Sequence, residues 1–262
     1  MTTVATFSHA TLSFGDRVLW NNLDLSVEAG EFIAVLGPNG SGKTSFLRTL
    51  LGQYSLTSGT LEVSDRIGYI PQQHADDADP MAMRGRDLVG FGVDGARWGI
   101  GLRGFRQRRA KVDAALAEVG ASDYADAPVG LLSGGEQQRL RVAQALTSDP
   151  ALLLCDEPLA SLDPASQERV VELIDHRRRT AGSAIVLVTH EINPVMPYVD
   201  RVLYLVGGQF LAGPPDEVMT TETLSELYGS RVEVVRVNGR ILVVGGEEGT
   251  AHCSPNQEHH HP

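Results

Sequence analysis

Three uninterrupted apolar runs punctuate the chain, and each stops abruptly at small or charged residues. Phe32–Leu36 stops at Gly37, residues 151–155 stop at Asp156-Glu157-Pro158, and Ala184–Val188 stops at Thr189-His190-Glu191. Runs this short, apolar at every position, predict strands buried on both faces, as in a parallel sheet covered by helices. Helical spacing fills the intervals. Residues 45–51 predict a helix stopped by Gly52, residues 107–119 place Val112, Ala115, Leu116 and Val119 on one face, and residues 165–179 are amphipathic. A short helix is predicted over 222–228. The first thirty residues alternate instead: Leu23, Leu25 and Val27 interleave with Asp24 and Ser26, as in a half-buried strand. Further strands are predicted over 59–63 and 66–70, where Pro71 ends the sheet pattern and Gln72 begins a loop. Arg201–Val206 and 209–211 predict a hairpin across Gly207-Gly208. Asn238-Gly239 between 232–237 and 240–244 predicts a second hairpin, an appendage to the core.

The first buried run leads into Gly37-Pro38-Asn39-Gly40-Ser41-Gly42-Lys43-Thr44, followed by Ser45. This is a phosphate loop in its proper context of strand, loop and helix. The glycines allow close backbone approach, successive N–H groups form an anion-binding concavity, and the helix N-terminus adds its dipole. Lys43 can reach the β- and γ-phosphates, and the Thr44 hydroxyl can ligate Mg²⁺. Lys43 and Lys111 are the only lysines in the chain. In an α/β sheet ligands bind beyond the carboxyl ends of strands, so Asp156, Glu157 and His190 belong beside this loop. Asp156 suits Mg²⁺ and Glu157 suits water activation. Leu132-Ser133-Gly134-Gly135-Glu136-Gln137 predicts a helix opened by a capping box between Ser133 and Glu136. Capping alone does not require both Gly134 and Gly135, and their free N–H groups offer a second anion site. Phe14, from its position alone, reads as sheet packing.

Composition narrows the class. The chain has 262 residues and a formal net charge of -11, which argues against general nucleic-acid binding. Its two cysteines, Cys155 and Cys253, are far apart and suggest no disulfide framework. No secretory signal and no apolar stretch long enough to span a bilayer is present, so a transport role would require a membrane partner. From 81 to 130 the pattern is broken by Gly90, Gly92, Gly95, Gly99, Gly101 and Gly104. Arg97, Arg103, Arg106, Arg108, Arg109 and Lys111 lie among Trp98 and Phe105. This reads as a solvated loop entering a helix, or as a contact with a protein or membrane surface. Asp76, Asp77 and Asp79 read as a solvated loop in preference to a metal cluster. Residues 246–262 have the composition of a disordered tail, in which His252, Cys253, His259, His260 and His261 could ligate a borderline metal or have no role.

These motifs, in this order over residues 4–230, closely resemble the nucleotide-binding subunit of ATP-binding cassette transporters. Gly37 to Thr44 matches the Walker A motif and 152–157 the Walker B motif. Residues 132–137 match the family signature, Gln72 the Q-loop, Ser161-Leu162-Asp163 the D-loop, and His190 the switch histidine. The resemblance implies an α/β fold: a P-loop NTPase core with a mixed sheet, an N-terminal antiparallel β subdomain and an inserted helical subdomain at about 74–150. It implies domain limits of 1–230, a hairpin at 231–245 and a tail at 246–262. It reassigns Phe14 to stacking on adenine. It further implies an ATPase using Mg²⁺ held by Thr44, Gln72 and Asp156, with catalysis by Glu157, His190, Lys43 and Gln72. Two copies would pair head to tail, so that Ser133, Gly134, Gly135 and Asp163 of one meet the ATP held by the other. Residues 200–205, 213–215 and 224–229 resemble the zinc and manganese importer branch. That branch implies permease subunits, an extracytoplasmic metal-binding protein, and a place on the cytoplasmic face of the membrane, with no nucleic-acid partner. An importer of iron chelates, or a soluble cassette ATPase of iron–sulfur cluster assembly, are the alternatives.

Overall fold

The computed structural model describes residues 2–72, 82–94 and 105–245. Asp76, Asp77 and Asp79, the stretch containing Arg97, Trp98 and Arg103, and the histidine-bearing tail lie outside the described residues. β1 (Thr3–Phe14) and β2 (Arg17–Glu28) form a long antiparallel hairpin. β3 (Phe32–Leu36) is buried throughout and leads through residues 37–42 into α1 (Lys43–Leu50). β4 (Ser58–Val63) pairs with β1, and β5 (Ile67–Ile70) enters the central sheet. Three helices follow, α2 (Gly85–Asp94), α3 (Phe105–Glu118) and α4 (Gly134–Leu146). The chain then alternates through β6 (Leu152–Asp156), α5 (Pro164–Ala181) and β7 (Ala184–Val188). β8 (Arg201–Val206) and β9 (Gln209–Gly213) make the hairpin at the sheet edge. Short helices α6 (Pro215–Val218) and α7 (Thr221–Tyr228) precede the last hairpin, β10 (Glu233–Val237) and β11 (Arg240–Val244).

The central sheet has the order β5-β6-β7-β3-β8-β9, parallel except for β9. A separate antiparallel sheet has the order β2-β1-β4. Each face of the central sheet carries its own core. On one face Ile33 and Val35 meet α1 and the antiparallel sheet, where Phe46 stacks on Phe7 at 5.1 Å and meets Trp20 edge-on at 5.9 Å. Full burial of each of these rings contributes roughly 1.5–3 kcal/mol. On the other face Phe32 and Leu36 join the apolar stripes of α3, α4 and α5.

The glycines at 90 and 92, expected to break the pattern, instead lie inside α2. A Cβ on Gly92 would stand 2.1 Å from the Gln144 carbonyl oxygen, so glycine lets α2 press against α4. That close packing outweighs the roughly 1 kcal/mol by which glycine disfavours a helix. In the last hairpin Ile241 is 5% exposed and belongs to the main core, so the hairpin is docked onto the body.

Candidate nucleotide site

Gly37 turns the chain off β3 with a φ of 141°. A Cβ there would lie 2.1 Å from the Leu205 carbonyl oxygen, so the loop can cross the end of β8 only with glycine. Gly42 takes the left-handed conformation as the N-cap of α1, and no side chain caps that helix. The N–H groups of its first turn are therefore left to a ligand. Lys43 is 6% exposed and its ammonium donates to the carbonyls of Gly37 at 2.8 Å and Pro38 at 3.0 Å. Burial pulls its pKa down, opposed by the charges of Glu157 and Asp156. Ser41 is buried, and its Oγ has no hydrogen-bond partner among the described residues. An orphaned hydroxyl inside a glycine-rich cradle fits a phosphate oxygen as its partner.

The ends of β6 and β7 supply the rest. Thr44 Oγ1 donates to Asp156 Oδ1 at 3.3 Å. Burial pushes the Asp156 carboxyl up in pKa, and the Thr44 hydroxyl partly offsets this. These two hard oxygen donors fit Mg²⁺. Gln72 Nε2 donates to Glu157 Oε2 at 3.1 Å, and His190 Nδ1 lies 3.5 Å from the same oxygen. Glu157 has a φ of 47°, a region that costs of order 1–3 kcal/mol for such a residue. Its N–H donates to the Val188 carbonyl at 3.0 Å, which extends the pairing of β6 with β7 and holds the carboxylate at the sheet's edge.

A cleft of about 500 Å³ runs over this loop, lined by Phe14, Arg17, Leu19, Asn39, Gly40, Gly42, Lys43, Thr44, Ser45, Gln72 and Glu157. Phe14 is 48% exposed and meets Tyr54 edge-on at 5.1 Å, so one face of its ring is open for stacking. Sequence reasoning missed Arg17 and Tyr54. The Arg17 guanidinium donates to the Gly40 carbonyl inside the loop. The hairpin register pairs Phe14 with Arg17; that pairing was the available signal.

Ser133, Gly134, Gly135 and Asp163 do not line this cleft. They form a second patch. Ser133 caps α4 and closes a capping box with Glu136, whose carboxylate accepts from the Ser133 N–H at 2.8 Å and hydroxyl at 2.7 Å. A Cβ on Gly135 would stand 2.5 Å from Ser166 Oγ, so this glycine also serves the contact between α4 and α5. Asp163 caps α5, accepting from the Ser166 N–H at 3.1 Å.

A phosphate loop whose lysine, threonine and neighbouring strand-end carboxylates converge on one cleft defines a nucleotide-binding P-loop protein. The model of the ABC transporter family matches residues 20–160. The zinc import ATP-binding protein ZnuC of Yersinia enterocolitica is 35% identical over 234 residues, 88% of this chain and 87% of the relative. ZnuC of Pseudomonas fluorescens is 37% identical over 219 residues, 82% and 78% of the two chains. A solved metal-chelate type ABC transporter in an inward-facing conformation superposes with a TM-score of 0.79 and 25% identity, covering 92% of this chain and 96% of that one. The chain belongs to the ABC transporter family, and its fold is that of the family's ATP-binding cassette.

Proposed function

We propose that this chain is the ATP-hydrolysing subunit that energises a membrane importer of zinc or manganese. The observation that carries the ATPase is the convergence of Thr44, Asp156, Gln72, Glu157 and His190 beside Lys43. The likeness to zinc import ATP-binding proteins over most of the chain supports the cargo. Phe14 stacks on the base, and the cradle from Gly37 to Ser45 takes the phosphates. Lys43 spans the β- and γ-phosphates. Thr44 and Asp156, with Gln72 adjacent, would hold Mg²⁺, which would supply charge neutralisation at the phosphates. Glu157 takes the proton of the attacking water, and His190 contacts the γ-phosphate. Phosphoryl transfer needs this positioning and electrostatic support more than covalent chemistry.

Two copies pair head to tail, and Ser133, Gly134, Gly135 and Asp163 of one complete the site of the other. The complex includes permease subunits and an extracytoplasmic metal-binding protein, and the chain sits against the cytoplasmic face of the membrane. It divides into a cassette over 1–230, with its helical subdomain at about 74–150, and a C-terminal hairpin. The likeness to a metal-chelate type transporter favours chelated metal as the second reading.

The test joins both halves. The complex with its permease, in lipid vesicles, is assayed for ATP hydrolysis and for uptake of radioactive zinc and manganese. Glu157→Gln is expected to leave ATP binding in place and lower turnover by roughly 10²-fold or more, the scale of a general base. Hydrolysis near the unaltered rate would remove Glu157 from that role. Hydrolysis without uptake of free zinc or manganese would shift the cargo to a chelate.

A further inference from the structure

The hairpin β10–β11 grips the loop that carries His190. Asn193 Nδ2 donates to the Ile241 carbonyl at 3.0 Å, and the Ile241 N–H donates to Asn193 Oδ1 at 2.7 Å. One side-chain amide thus satisfies both backbone groups of a single strand residue. The Ile241 side chain packs in the same core as Ile192 and Val195, which flank Asn193. The hairpin is itself fastened to α7. Val234 N–H donates to Thr221 Oγ1 at 2.9 Å, Ser225 Oγ donates to the Val232 carbonyl at 3.0 Å, and Val232 N–H donates back to Ser225 Oγ at 3.1 Å. A continuous chain of bonds therefore runs from α7 through the hairpin to a residue three positions from His190.

On the side facing β3 the start of the loop is held by Thr189, whose N–H donates to the Val35 carbonyl at 3.2 Å and whose Oγ1 donates to the Glu191 carbonyl at 2.9 Å and accepts from the Glu191 N–H at 3.0 Å. His190 is 60% exposed at its side chain, and its imidazole meets Glu157 across 3.5 Å. A cavity of about 380 Å³ separates the end of β3 from the hairpin; Leu36, Gly37, His190, Asn193 and Ile241 line it. Thr189 thus anchors the loop before His190, and the two Asn193 bonds anchor it after His190.

We propose that Asn193, clamped by the C-terminal hairpin, is a positioning residue that holds His190 at the γ-phosphate. The inference rests on the reading of His190 given above and adds to it the hairpin's purpose. Asn193 touches no reacting atom; it acts through His190 alone. Its loss lowers the chemical step and spares nucleotide binding, which is made by the cradle and Phe14.

The experiment is a double-mutant cycle in the permease complex, reading kcat, KM for ATP and the thermal midpoint. Asn193→Ala is expected to lower kcat about tenfold with KM changed less than about twofold, and to change kcat less than about twofold in a His190→Ala background. Asn193→Asp, which keeps the acceptor and loses the donor, is expected to lower kcat with an unaltered fold. Unchanged kcat in both variants overturns the proposal. So does an equal drop in the two backgrounds, which would mark Asn193 as structural. If His190→Ala itself keeps full turnover, the reading of His190 has failed and the positioning role falls with it. An impaired His190→Ala with an additive Asn193→Ala fails the positioning role alone.

Discussion

Asp156 and Glu157 are adjacent in sequence and live in different media. Asp156 is 2% exposed at the end of a core strand, and its burial raises its pKa ahead of every other influence on it. Keeping it ionised costs stability in the nucleotide-free protein, a cost that the proposed Mg²⁺ site would account for. Asp156→Asn removes the charge and keeps an acceptor for the Thr44 hydroxyl. We expect it to raise the thermal midpoint of the free protein by about 2–4 °C per kcal/mol relieved, while turnover is lost. A lower midpoint in calorimetry would contradict the desolvation account. Much of this was legible beforehand, because an apolar run that stops at carboxylates leaves those carboxylates at a strand end. The left-handed backbone of Glu157 was not, since a glutamate carries no preference for that region. Arg17 was hidden for another reason. Its bond to Gly40 joins residues 23 apart; the Gly15-Asp16 turn places Arg17 opposite Phe14, but no local pattern shows that the guanidinium reaches the loop.

The start of α4 shows one element holding two duties. Its capping box was readable from Ser133 and Glu136 alone, and the structure forms both halves of it. The Ser133 hydroxyl and then its backbone N–H hold the Glu136 carboxyl below its ordinary 4.5. A folded pKa below the unfolded one gives stability that is complete above pH 4.5 and is lost as pH falls through the folded value. Glu136→Gln is therefore expected to lower the urea midpoint at pH 7, with the gap to the unaltered protein closing as pH falls below about 4.5. A gap that persists under acid conditions would mean that the glutamine fails by shape and not by charge. The buried strands were equally legible, because composition alone identifies a strand covered on both faces. The helix α2 was not, because its glycines serve contacts with Arg108 and Gln144 that lie far along the chain. Nor was the docking of the hairpin, whose bonds to Asn193 span 48 residues.

At the scale of the whole molecule, the phosphate cradle and the start of α4 lie in separate patches of one chain. No helix among the described residues is long and apolar enough to cross a membrane. If Ser133 and Gly135 complete the cradle of a neighbour, the site needs a second copy of the chain. A mixing experiment decides this. Lys43→Ala loses the ammonium of its own cradle and keeps a sound α4 start. Ser133→Arg keeps the cradle and blocks the α4 start with a long cation, at the price of a helix cap worth about 1 kcal/mol. Each variant alone should be inactive, because every two-fold pair contains only damaged sites. In a mixed pair, the intact cradle of the Ser133→Arg chain faces the intact α4 start of the Lys43→Ala chain. Random pairing makes half of the pairs mixed, each with one whole site of two, so activity should recover to at most about a quarter of the unaltered protein. Recovery on mixing two dead proteins requires a site shared between copies. Absence of recovery, with both variants folded and exchange of subunits verified by light scattering or cross-linking, would mean that each chain completes its own site.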